Sequence, residues 1–265
     1  MRRQGELAAG GTGEQIAIAT ATLVVTLLGY VLVSQLDDTL FPGLIAAVAA
    51  MVGTGTYLIG RSHPSFLALG RAYTWTLWVP AVAWFVAGAA LLRVGTFGNG
   101  LGPAIVATVV LAVLLLAQHR ELQLTAGNRR GAEFLVSLGV FVSGFALFGV
   151  LYQEREHGPL IALLAALVAA VLAVVPLRRA VAADGRTALY CGLVGLVVGQ
   201  AAWALTYWTT PAIVGGASLL LLFYVLVGIG EAILDRSFGR RILLEYGLVG
   251  ICGLVLIASV GPWHA

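Results

Sequence analysis

The chain has 265 residues, of which 60% are hydrophobic and 10% charged, with a formal net charge of +3 and a mean hydropathy of +0.98. A soluble domain carries about 25% charged residues, so this inventory cannot cover a water-facing surface, and it is equally unlike a disordered chain. What remains is an all-α integral membrane protein that crosses the bilayer many times.

Residues 1–14 are polar and Gly-rich and read as a short cytoplasmic tail. Arg2 and Arg3 ahead of an apolar run resemble a signal peptide, but the run from Gln15 to Val33 is longer than a signal core and reads as an uncleaved first span. A spanning helix needs roughly 20 apolar residues. Nine such segments follow along the chain, at 15–35, 41–59, 73–93, 102–118, 132–152, 159–177, 187–208, 211–233 and 242–261. The run 187–233 is too long for one span, and Thr209, Thr210 and Pro211 divide it into a hairpin. Together the spans make one transmembrane helical domain over 15–261, with 262–265 as an outer tail.

The arginines test the count independently. With loops alternating across the membrane, 13 arginines fall on one side, and only Arg93 and Arg155 fall on the other. Positive charge in short loops stays in the cytoplasm, which puts the N-terminus inside and the C-terminus outside. Pro42, Pro103, Pro159 and Pro211 each open an even-numbered span at its outer end, where a missing N–H is not needed. No sequence repeat accompanies this regularity, and an odd helix count does not split into equal halves.

Small residues form ridges: Ala162, Ala166 and Ala170 on the sixth span, Gly195 and Gly199 on the seventh, Ala49 and Gly53 on the second. Such ridges bring helix backbones together in lipid, here within the chain, with pairing of two copies as the sharper reading. Trp203, Tyr207 and Trp208 form an aromatic belt at the outer end of the seventh span, and Trp75 and Trp78 do so near the inner end of the third. Pro80 falls near the middle of the third span, so it either merely kinks the helix or, with Trp84, shapes a lipid-sized pocket.

Ionisable residues at mid-membrane depth mark function, and none is placed there. This argues against a proton pump or carboxylate-driven antiporter. Gln200 is the strongly polar group nearest mid-depth, satisfied by a neighbouring helix or by a ligand head group. Thr20, Thr22 and Thr26 are expected to bond back to their own helix. The chain has no Lys, which excludes a retinal-type Schiff base and a phosphate-binding loop with Lys. The four histidines lie in loops or at helix ends, so haem and histidine-bound chlorophyll are not expected, whereas a carotenoid or quinone needs no such ligand. Cys191 and Cys252 sit in apolar runs and make neither a disulfide framework nor a zinc site. Asp37-Asp38 and Asp184-Gly185 lack the later acids of the membrane transferase motifs they begin to resemble. No cofactor, metal or catalytic group is therefore expected.

One charged constellation stands out. Glu231, Asp235, Arg240, Arg241 and Glu245 meet at the cytoplasmic turn between the last two spans, with Glu231 and Asp235 four residues apart on one helix face. It is either a charge-balanced turn pinned by Arg–carboxylate pairs or a small site where Arg240 and Arg241 hold a phosphate or lipid head group. Paired arginines on other inner loops favour contact with anionic lipid.

The stretch Gly192 to Gly250 carries Gln200-Ala201-Ala202-Trp203-Ala204-Leu205-Thr206-Tyr207-Trp208, Phe223-Tyr224-Val225-Leu226-Val227-Gly228 and Arg240-Arg241-Ile242-Leu243-Leu244-Glu245-Tyr246-Gly247. It resembles an uncharacterised family of polytopic bacterial membrane proteins of the Chloroflexota type. The resemblance implies a bacterial plasma membrane and no assigned activity.

The resulting expectation is a non-enzymatic multi-pass protein, either a structural or accessory subunit or a binder of a lipid or lipophile. The alternative is a transporter or flippase for a neutral or amphipathic solute, using Gln200, Trp203, Tyr207, Pro80 and Trp84 as ligand contacts. A lipid head-group enzyme at the cytoplasmic face is third. Membrane lipids, anionic at the inner face, are the expected partners, along with a second copy or a larger membrane complex. Nucleic acid is not, since the pI near 9.1 comes from loop arginines.

Overall fold

A computed structural model describes residues 2–35, 40–62, 75–94, 101–122, 126–153, 157–180, 185–208, 210–236 and 239–260, without the side chains of 2–12, 75, 126–128, 180, 243, 256–258 and 260. Asp37, Asp38, His63, Arg71, Glu154, Arg155, Glu156, Asp184, His264 and the 262–265 tail lie outside the described residues, as do the side chains of Arg2, Arg3, Glu6 and Trp75.

Among the described residues there are nine α-helices and no strand. They are α1 (Arg2–Val33), α2 (Phe41–Arg61), α3 (Trp78–Arg93), α4 (Leu101–Glu121), α5 (Ala126–Gln153), α6 (Gly158–Ala180), α7 (Gly185–Thr206), α8 (Ala212–Leu234) and α9 (Arg240–Val260). Seven contain segments long and apolar enough to cross a membrane. Helix α3 is apolar but only 16 residues long, and α9 has 21 residues, about 31 Å, with its charges confined to the first six. The protein is a multi-pass helical membrane protein. Its lipid-facing surface is visible in the outward leucines, such as Leu163 on α6 and Leu189 on α7, which are 58% and 63% exposed.

Helix starts follow the prolines. Pro42 and Pro159 are second in α2 and α6, Pro103 is third in α4, and Pro211 caps α8. Two local expectations are corrected. Helix α1 begins at Arg2, so the segment expected as a tail is helical; once the apolar run nucleates a helix, extending it backwards is cheap. Pro80 does not interrupt a helix at its middle. A single 3-10 turn (Trp75–Leu77) leads into α3, and Pro80 is the third residue of α3, where its missing N–H is tolerated.

The chain divides into two compact units, Met1–Gly139 and Val140–Ala265. The boundary falls inside α5, so an odd helix count does divide evenly. In the first unit, Tyr30 and Val33 of α1, Val48 and Val52 of α2, Ala81 and Phe85 of α3 and Leu111 of α4 form one buried core. The Tyr30 and Phe85 rings pack 5.1 Å apart. Gly53 of the α2 ridge faces Val82 and Trp78 of α3. The expected back-bonds of Thr20, Thr22 and Thr26 to their own helix are present, each 2.8 Å long.

In the second unit the small-residue ridges of α6 and α7 meet each other. A Cβ at Gly195 would lie 2.5 Å from the Ala166 carbonyl oxygen, and one at Gly199 would lie 2.7 Å from the Ala166 Cβ. The ridge pair is thus covered within the chain. An aromatic ladder ties α5, α8 and α9: Phe148 against Phe223 (6.0 Å), Phe223 against Phe141 (5.7 Å), Phe141 against Tyr224 (5.5 Å) and Tyr224 against Tyr246 (5.8 Å).

Candidate functional site

Pro80 and Trp84 belong to the first unit, and both have structural work there. Pro80 is buried, and the Trp84 indole N–H donates to the Ala107 carbonyl of α4 at 2.8 Å. The Tyr30 hydroxyl donates to the Trp84 carbonyl at 3.3 Å. These bonds tie α1, α3 and α4 together.

The same unit buries polar groups that sequence reasoning missed. Gln118, 4% exposed on α4, donates from Nε2 to the Leu77 carbonyl at 2.8 Å, at the entry to α3. Glu121, one turn on, is also buried. Both continue the stripe begun by Leu111, Leu114 and Leu115, so helical spacing could have placed them inward; α4 is apolar on every face, so nothing singled that stripe out. Gln118→Met is expected to lower stability by about 1 kcal/mol, because the Leu77 carbonyl loses its donor, and a thermal melt in detergent checks this.

Gln200, Trp203 and Tyr207 share one face of α7 in the second unit, and that face is exposed, Tyr207 by 80%. The buried face is formed by Val194, Gly195, Val198, Gly199 and Ala202, all packed inward. Gln200 therefore looks outward from the helix pair. Trp203, Tyr207 and Trp208 are exposed at and just beyond the C-terminal end of α7.

The charged turn is more open than a pinned hairpin. Asp235, Arg240, Arg241 and Glu245 are exposed, and Glu231 is half-buried. No ion pair joins Arg240 or Arg241 to these carboxylates among the described residues; the ion pair seen is Arg129–Glu133 on α5, at 2.7 Å. Arg179 of α6 is instead the cation within electrostatic reach of Glu231. Its neighbour Arg178 is 2% exposed, the largest fully buried side chain, and Thr187 at the start of α7 is buried too. Arg236 closes α8 with φ of 54°, the left-handed conformation that ends many helices. The arginines at the end of α6 were legible as charges, but not as buried ones.

A concavity with a coherent lining lies elsewhere in the same unit. A groove of about 660 Å³ runs between α5, α8 and α9. Phe141 and Phe145 line it from α5, Leu220, Leu221 and Tyr224 from α8, and Val249, Cys252 and Gly253 from α9. Gly253 lets the Leu221 side chain of α8 pack directly against α9, since a Cβ there would lie 2.6 Å from it. Phe145, Tyr224, Val249 and Cys252 are exposed, so the groove opens at the surface of the membrane-crossing region. Its volume is that of a small-molecule site, about 300–1,000 Å³, and its walls are hydrocarbon and aromatic ring. Such a surface can hold an alkyl or isoprenoid chain. None of the ten residues singled out from the sequence lines it. A second groove, about 450 Å³, lies between α1 and α2 in the first unit, with Thr22 and Thr54 in its wall.

No curated protein and no solved structure matches the chain. A family described as protein of unknown function (DUF5656) matches residues 18–260, which takes in the groove, the charged turn and all the helices from within α1 to the last residue of α9. The chain belongs to the DUF5656 family.

Proposed function

We propose that this protein is a non-enzymatic lipophile-binding module of a bacterial plasma membrane, with its N-terminus in the cytoplasm. The observation that carries the reading is the open, aromatic-walled groove between α5, α8 and α9. Burying a hydrocarbon chain there is favourable by about 0.8 kcal/mol per CH₂ relative to water, and relative to lipid the gain comes from close packing against fixed rings. The orientation rests on the arginine asymmetry of the loops. The transporter alternative would need a polar path, and Gln200, its best sequence candidate, is exposed on α7.

The test is gentle purification from native membranes followed by native mass spectrometry. One retained lipophile per chain is expected. Cys252→Trp should remove it, because Cys252 lines the groove and is exposed, so a large ring there fills space without disturbing the core. A chain that emerges bare, or a Cys252→Trp variant that keeps the same lipophile, sinks the reading. A stoichiometric protein partner on a bare chain would make it an accessory subunit instead.

A further inference from the structure

We infer that the occupant of the groove is an anionic phospholipid, with its phosphate held by Arg240 and Arg241 and one acyl chain laid between α5, α8 and α9. The inference rests on the lipophile-binding reading and names its ligand.

Arg241 shares a helix face with the groove-lining Cys252, and Arg240 starts about 100° round α9 from Arg241. Arg241 and Cys252 are eleven residues apart on α9, about three full turns, so they point in nearly the same direction about 16 Å apart along the axis. Val249 lies between them at the near end of the groove. An amphiphile with a charged head at the helix start and a long chain reaches from one to the other. A free phosphate does not, and neither does a neutral hydrocarbon.

Charge points the same way. Arg240 and Arg241 are the first two residues of α9, where the helix dipole is positive and disfavours cations. Two arginines there conflict with the local rule, and an anion bound between them and the unsatisfied N–H groups of the first turn resolves the conflict. The nearby carboxylates do not supply it: among the described residues no ion pair joins either arginine to Asp235, Glu245 or Glu231.

The full chain in detergent is exchanged against mixed micelles of phosphatidylglycerol and phosphatidylcholine with matched acyl chains, and the bound lipid is read by native mass spectrometry. The wild-type chain is expected to prefer phosphatidylglycerol by roughly 20-fold, and less as salt is raised. Arg240→Gln with Arg241→Gln should bring the ratio close to one while one lipid stays bound, and that bound lipid shows the variant is folded. Cys252→Trp should lose both lipids. An unchanged phosphatidylglycerol preference in the double arginine variant overturns the inference and leaves the groove reading standing. Displacement of the lipid by glycerol 3-phosphate also overturns it, because the head group alone would then suffice. Retention of lipid by Cys252→Trp overturns the groove reading itself.

Discussion

Replacing Gly199 with Leu is expected to destabilise the second unit by about 3 kcal/mol or more, a fall of roughly 10 °C in melting temperature. A Cβ at this position would lie 2.7 Å from the Ala166 Cβ and 2.8 Å from the Ala162 carbonyl oxygen. The obstructing atoms are backbone and the Cβ of alanine, with no flexible end to swing aside, so the whole of α6 must move. Without a hydrophobic driving force between helices in lipid, this close contact is a main source of their association. Gly192, on the exposed face of the same helix, is the control: a Cβ there meets nothing within 4 Å. Gly192→Leu should be neutral or slightly stabilising, since glycine is a poor helix former. Equal losses in both variants would mean that α7 tolerates no added bulk anywhere and that the α6–α7 contact is not special. The measurement is a fluorescence-monitored thermal melt of both variants in the same detergent.

The ridges at Gly199 and Ala166 were legible because spacing alone defines them: small residues every four positions make a stripe whatever the rest of the helix carries. Helix number was legible for a similar reason, since run length, loop arginines and outer-end prolines are independent signals that agree. Orientation about each helix axis was not legible. When a helix is apolar all round, periodicity loses its contrast, and the eye falls on whichever polar residue lies deepest. Gln200 attracted attention on that ground and is exposed, while Gln118, Glu121 and Arg178 near helix ends are buried. Pro80 was misplaced because a 3-10 turn, which hydropathy cannot distinguish from helix, precedes α3. The groove was least legible of all. It is formed by apolar residues of three helices far apart in sequence, and nothing in their spacing marks them as neighbours.

The groove and the charged turn gain meaning from their positions on one helix. Read separately, an apolar surface depression in a membrane protein is ordinary, and so is a pair of arginines at a helix start. Helix α9 places Arg241 and the groove-lining Cys252 on one face, and a lipid is a ligand class with an anionic end and an apolar end at that separation.

Tyr152→Phe is expected to cost about 1 kcal/mol, and to loosen the C-terminal end of α7 more than it lowers global stability. Tyr152 is 2% exposed near the end of α5. Its hydroxyl lies 3.0 Å from the Leu205 carbonyl and 2.8 Å from the Thr210 hydroxyl, and it also bonds the Trp208 carbonyl. A phenol has one hydrogen to donate, so the two carbonyls share it and the oxygen accepts from Thr210. Leu205 and Trp208 lie where the last carbonyls of α7 have no partner within the helix, and the phenol satisfies them together with the backbone N–H groups of Trp208 and Thr210. Gly215 makes room for the ring: a Cβ there would lie 2.6 Å from it. Removing the oxygen keeps the ring's packing and leaves the Leu205 and Trp208 carbonyls with their backbone donors alone, a loss of the order of a hydrogen bond's net worth. Hydrogen exchange should therefore rise in the connector between α7 and α8 in the Phe variant and remain at the wild-type rate in α1 to α4. Uniformly faster exchange across the chain would show that Tyr152 supports the whole fold, and unchanged exchange at the connector would show that the three-way bond does not hold it.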